Sequence, residues 1–152
     1  MSVPANLAAL AGEWAGPNRL WLAPDTPVRE SETRATVALA AEGKFLTIRY
    51  TWADDGAAQS GLLLVGVEAD GAATAAWVDS WHMQDKMMVC RGTSRDGAVS
   101  VTGSYEAPPG PDWGWRIEIL PKADGTFQIV MYNITPDGSA FLAVEATYRR
   151  AS

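Results

Sequence analysis

With 152 residues, 47% of them apolar, and 12 basic against 18 acidic side chains for a net charge of −6, the chain reads as a single domain, 1–152. A domain of this size buries roughly 70% of its unfolded surface, and its acidic balance repels phosphate backbones and anionic lipid, so no nucleic acid and no membrane partner is expected. Cys90 is the sole cysteine, which rules out an internal disulfide and points to a reducing, cytoplasmic setting.

Met1 to Asn6 shows no basic region followed by an apolar core, so no secretory signal is expected. No apolar run approaches the ~20 residues of a membrane helix. Asn6 is placed to cap a helical turn over 7–11, which Gly12 stops. Ten strand-like segments follow, at 12–22, 28–40, 44–53, 59–68, 73–82, 86–93, 98–106, 113–121, 126–135 and 139–149. Five Asp-Gly pairs, at 55–56, 70–71, 96–97, 124–125 and 137–138, punctuate them. Asp-Gly tolerates the positive φ angles of tight hairpins, so the pattern describes an antiparallel meander. A meander of this length leaves two raw edges unless it closes. The predicted fold is therefore all-β, a ten-stranded up-and-down antiparallel barrel with one short N-terminal helical turn.

The last strands can be registered by arithmetic. A two-residue turn at Asp124-Gly125 sets Ile119 opposite Val130, Ile117 opposite Tyr132 and Trp115 opposite Ile134. A three-residue loop at Pro136-Asp137-Gly138 then sets Tyr132 opposite Leu142 and Val130 opposite Val144. Trp115, Ile117, Tyr132, Leu142 and Val144 would face in, and Arg116, Glu118 and Glu145 out. Leu46, Ile48, Tyr50 and Trp52 continue the inner face.

Gly12-Glu13-Trp14 near the start and Tyr148-Arg149-Arg150 near the end resemble the lipocalin and calycin superfamily. There a tryptophan plugs the closed barrel end beneath a basic residue of the last strand. The resemblance assigns Trp14 to the plug and Arg149 or Arg150 to the base; parity favours Arg150 if Tyr148 points inward. A longer match runs from Leu7-x-x-Leu10-x-Gly12-x-Trp14 through Trp77-Val78-Asp79-Ser80 and Gly92 with Asp96-Gly97 to Tyr148-x-Arg150. It is similar to a bacterial family catalogued as domain of unknown function 1579, thought to share the calycin barrel. The resemblance implies fold and not chemistry.

Seven tryptophans in 152 residues make aromatic core or cavity wall the central question. In Trp77-Val78-Asp79-Ser80-Trp81-His82, alternation puts Trp77, Asp79 and Trp81 on one face and His82 on the other. A buried Asp79 needs a partner: a ligand group, a turn amide, or Arg34 or Arg49 across the sheet. A turn at Gln84-Asp85 pairs His82 with Met87 and Asp79 with Cys90, which separates Cys90 from His82 and leaves no Cys–His dyad. Arg29, Glu30, Glu32 and Arg34 read as a solvated face with cross-strand pairs. No Gly-x-Ser-x-Gly elbow, phosphate-cradling loop or metal-ligand spacing occurs, so no catalytic residue and no metal is expected.

A related barrel family, the nitrobindins, holds haem iron through a histidine near the barrel mouth. Its members carry further glycines and a Tyr-Pro after the tryptophan, where this chain has Trp14-Ala15-Gly16-Pro17-Asn18-Arg19. Parity also turns His82 away from the Trp77–Trp81 face, so no cofactor is expected. The leading functional reading is a binding module for a small apolar or amphipathic molecule, held by Tyr50, Trp52, Trp77, Asp79, Trp81, Trp115 and Tyr132; a homodimer is compatible with it. The alternatives are an enzyme using Asp79 as general acid or base, and a fully plugged barrel serving as a structural or interaction module.

Overall fold

Each tight turn hands the chain to a neighbouring antiparallel strand. The computed structural model, which describes residues 3–151, accordingly closes ten strands into one barrel. The strands are β1 (Gly12–Leu20), β2 (Arg29–Ala40), β3 (Phe45–Asp54), β4 (Ala57–Val67), β5 (Ala72–Asp79), β6 (Met88–Arg95), β7 (Ala98–Tyr105), β8 (Trp113–Pro121), β9 (Phe127–Ile134) and β10 (Ala140–Arg150). β1 pairs with both β2 and β10, so no edge strand is left. The turns at 41–44, 68–71, 96–97 and 122–126 gather at the end of the barrel where β1 begins. The longer connections 21–28, 80–87 and 106–112 gather at the other end and form its mouth.

The closed end is sealed by the residues that the Gly-x-Trp signature names. Trp14, 2% exposed, donates its Nε1–H to the Leu10 carbonyl at 2.7 Å and meets the Phe127 ring edge-on at 4.7 Å. Tyr148 points inward, and Arg150 lies over Trp14 with its guanidinium carbon 4.2 Å from the ring centroid. Its Nη1 and Nη2 donate to the carbonyls of Ala11 and Ala9 at 2.7 and 2.6 Å, tying the last strand to the helical turn. Gly12 sits at φ +135, where a Cβ would lie 2.6 Å from Arg150 Nη1, so glycine opens the space the arginine occupies.

The helical turn α1 spans Ala5–Ala8, earlier than 7–11, and Asn6 is not its cap. The Pro4 carbonyl accepts from Leu7 and Ala8, while the Asn6 side chain covers Gly97 in the β6–β7 turn.

The Asp124 turn departs from the two-residue expectation. Asp124 Oδ1 accepts from both Thr126 N, at 3.0 Å, and Thr126 Oγ1, at 2.6 Å, and Lys122 N donates to the Thr126 carbonyl at 2.8 Å. The loop thus holds three residues, and β9 slips by one: Trp115 faces Asn133, Ile117 faces Met131 and Ile119 faces Ile129. Because side chains alternate, the slip moves Phe127, Ile129, Met131 and Asn133 to the inner face and Tyr132 to the outer one. Tyr132 still opposes Leu142, which is outward with it; a bulge at Ala143 then restores Val144 to the interior opposite Met131. Arg116, Glu118 and Glu145 point outward as read. Glu145 meets Arg19 at 3.5 Å, and Arg19 and Arg29 pair with Glu30 and Asp54 at 3.8 and 3.3 Å. No helix among the described residues is long and apolar enough to cross a membrane.

Candidate functional site

Asp79 ends β5 and organises what lies above it. Its carboxylate is 2% exposed and accepts from four donors. Tyr50 Oη and Trp52 Nε1 donate to Oδ2 at 2.6 and 3.2 Å; the backbone N–H groups of Trp81 and His82 donate to Oδ1 at 2.9 and 2.8 Å. Trp77 Nε1 donates in turn to Tyr50 Oη at 2.9 Å. The partners are thus turn amides and ring donors rather than Arg34 or Arg49. Burial, helped by the adjacent carboxylate, pushes the Tyr50 phenol well above its ordinary value, so it stays a donor.

This carboxylate also ends the strand. With Trp81 and His82 caught on Oδ1 and Met83 N bonded to the Asp79 carbonyl at 3.0 Å, the chain turns and alternation stops at residue 79. The expected turn at Gln84-Asp85 is replaced by a loop over 80–87, and the pairs become Trp77 with Met88 and Ala75 with Cys90. His82 therefore does not take the outer face. It folds over the barrel interior with its ring 4.7 to 5.6 Å from those of Trp81, Trp115, Trp52 and Trp77. The parity ground for setting His82 apart from the tryptophans does not hold. Burial draws its pKa down to about 4 against the pull of Asp79 and Asp54, so the imidazole is neutral at neutral pH.

Above this knot lies a cavity of about 500 Å³ at the barrel mouth. Trp77 and Trp115 stack at 5.5 Å with planes 9° apart and form part of its wall, together with Trp21, Trp81, His82, Met83, Met88, Tyr105 and Asn133. Asp85, Lys86 and Glu106 stand among the polar lining residues. Below, between Tyr50, Trp52, Ile129, Met131 and Tyr148, only about 20 Å³ of void remains. The barrel is thus packed in its lower part and hollow at its mouth.

The seven residues read as a ligand set divide into three groups. Trp77, Trp81 and Trp115 line the mouth cavity. Tyr50, Trp52 and Asp79 form the hydrogen-bonded knot beneath it. Tyr132 joins neither: it lies outside under Arg116, whose guanidinium carbon is 4.3 Å from its ring centroid. The sequence pattern missed His82, Tyr105 and Asn133. Asn133 would have come inward with a three-residue Asp124 turn, whereas nothing in the alternation marks His82. Cys90 is buried opposite Ala75, and burial pushes its thiol up to about 11, which makes it a packing residue. No group of three or more His, Cys, Asp or Glu among the described residues is arranged to hold a metal ion.

The profile of a family described as "Protein of unknown function (DUF1579)" matches residues 3–150. The chain belongs to that family. No curated protein matches it. Among solved structures, the crystal structure of Rv2717c from M. tuberculosis is similar, with a TM-score of 0.66 and 16% identity over 99% of this chain and 100% of that one. At that identity the likeness extends to the fold alone, and the DUF1579 barrel's function must be argued from its cavity.

Proposed function

We propose that the barrel binds a small apolar or amphipathic molecule in its mouth cavity. The observation that carries this reading is the contrast between the two parts of the interior. The lower part is packed to a residual void of about 20 Å³, while the mouth keeps about 500 Å³ between aromatic and methionine walls. That volume falls in the ~300–1,000 Å³ range of small-molecule sites. A calycin-type ancestry fits, with Arg150 over Trp14 in the place of the superfamily's plug and base. The lone thiol of Cys90 favours a cytoplasmic location.

A catalytic role for Asp79 has less support, because both carboxylate oxygens already accept two donors each and the residue does not line the cavity. Titration with N-phenyl-1-naphthylamine, a neutral probe that brightens in apolar sites, tests the binding reading. Saturable binding at micromolar concentration is expected, weakened about tenfold or more by Trp115→Ala and unchanged by Tyr132→Ala. Absence of saturable binding to the folded protein, or equal effects of the two substitutions, would overturn it.

A further inference from the structure

The mouth cavity has a lopsided hydrogen-bonding inventory. Trp115, 6% exposed, has its Nε1–H buried without a partner among the described residues. Asn133 stands opposite Trp115 across the β8–β9 ladder, and its Oδ1 accepts the Tyr105 hydroxyl at 2.6 Å, which commits its amide nitrogen to donating. The carboxylates of the lining, Asp85 and Glu106, belong to exposed residues, and the nearby Asp79 already accepts four donors. The donor that an occupant can reach is the Asn133 amide nitrogen on the cavity wall, since the Trp115 Nε1–H is closed off from the cavity; an acceptor on the occupant would pair with Asn133. The charges argue in the same direction. Asp85 and Glu106 outnumber Lys86 among the lining residues, the chain carries −6, and His82 is neutral, so an anion meets no buried cation. A cation is drawn only to the exposed Asp85 and Glu106, while deeper in the wall it faces the Asn133 donor.

We propose that the cavity selects an uncharged aromatic compound bearing a carbonyl oxygen, with its ring against the Trp77–Trp115 wall and its oxygen toward the Asn133 amide nitrogen. This rests on the ligand-binding reading of the same cavity. The stacked indoles present flat π surfaces that reward a planar ring in offset or edge contact. Fatty acids, whose carboxylates would enter without a counter-ion, are poor ligands on this view.

Four probes of one shape class separate the possibilities: 2-acetylnaphthalene, 2-ethylnaphthalene, 2-naphthoate and 2-naphthylmethylamine, each titrated by quenching of the tryptophan emission. The expected order puts 2-acetylnaphthalene first, about fivefold tighter than 2-ethylnaphthalene and further ahead of both charged probes. Asn133→Leu, which removes the accessible donor, should narrow the acetyl-to-ethyl gap. Trp115→Phe, which keeps a ring and removes a donor closed off from the cavity, should leave that gap in place. If 2-ethylnaphthalene matches 2-acetylnaphthalene, or a charged probe binds tightest, this inference falls while the binding reading stands. If no probe binds to folded protein, both fall.

Discussion

Tyr50 reaches Asp79 across a missing side chain. The two residues lie in one ladder row with Gly61 between them, on adjacent strands β3, β4 and β5. The phenol lies over Gly61 and donates to Asp79 Oδ2 at 2.6 Å. A Cβ on Gly61 would stand 2.2 Å from the Tyr50 oxygen, so glycine is required here by contact, not by φ. This one row joins three strands through the interior and sets where β5 ends.

Two substitutions should break that row from opposite sides. Gly61→Ala pushes the phenol off its acceptor, and Asp79→Asn removes the charge and two of the acceptor positions. Each is expected to cost about 3 kcal/mol, because buried donors lose a charged partner. Urea unfolding of the two single mutants and the double should show strong non-additivity, since both break the same contact. Additive losses would mean that the row does not act as a unit.

Arg150 makes three contacts at the closed end: the Trp14 ring and the carbonyls of Ala9 and Ala11. Arg150→Ala should lower stability by about 1–2 kcal/mol. Arg150→Lys should recover little of it, because one ammonium cannot both cover an indole and span two carbonyls in a planar fork. Thermal melts of the two variants check this. Full rescue by lysine would reduce the contact to simple charge.

The sequence disclosed most where one residue type has one conformational use. Asp-Gly turns located the strands, β8 to the residue, and the Gly12-x-Trp14 and Tyr148-x-Arg150 pairing located the closed end. It disclosed least where a side chain decides between near-equal backbones. Whether the Asp124 turn holds two residues or three depends on Thr126 offering both its amide and its hydroxyl to Asp124. That one residue moves Tyr132 out and Asn133 in. His82 was misplaced for a related reason: strand alternation was carried past Asp79, where a carboxylate catching two amides bends the chain. The cavity's strand wall, Trp77 and Trp115, was legible, but most of the rest of its lining comes from loops 21–28, 80–87 and 106–112, which have no period to read.

The slipped register can be checked by thiol access. In a Cys90→Ala background, a cysteine replacing Tyr132 should react rapidly with a small thiol reagent, and one replacing Met131 should be protected until the protein unfolds. Met131 is 3% exposed and faces Ile117 within the barrel. Fast labelling at position 131 with protection at 132 would restore the two-residue turn.

His82 should make the protein acid-sensitive. Its pKa is about 4 in the fold and near 6.5 in the unfolded chain. Between those values the unfolded chain binds more protons, so stability rises with pH across that window. The contribution of the neutral, half-buried ring is fully present above about pH 6.5 and is lost as pH falls toward 4, up to about 3 kcal/mol in all. Asp79 and Asp54 oppose the effect, while the four indoles around the half-buried ring displace part of the water that would solvate an imidazolium. His82→Phe keeps a ring of similar size with nothing to titrate. Urea midpoints of the wild-type chain and His82→Phe should therefore diverge below pH 6.5, the mutant curve staying flatter until carboxylates begin to protonate. Parallel curves down to pH 4.5 would show that the ring is solvated at the mouth and would remove it from the wall of the binding cavity.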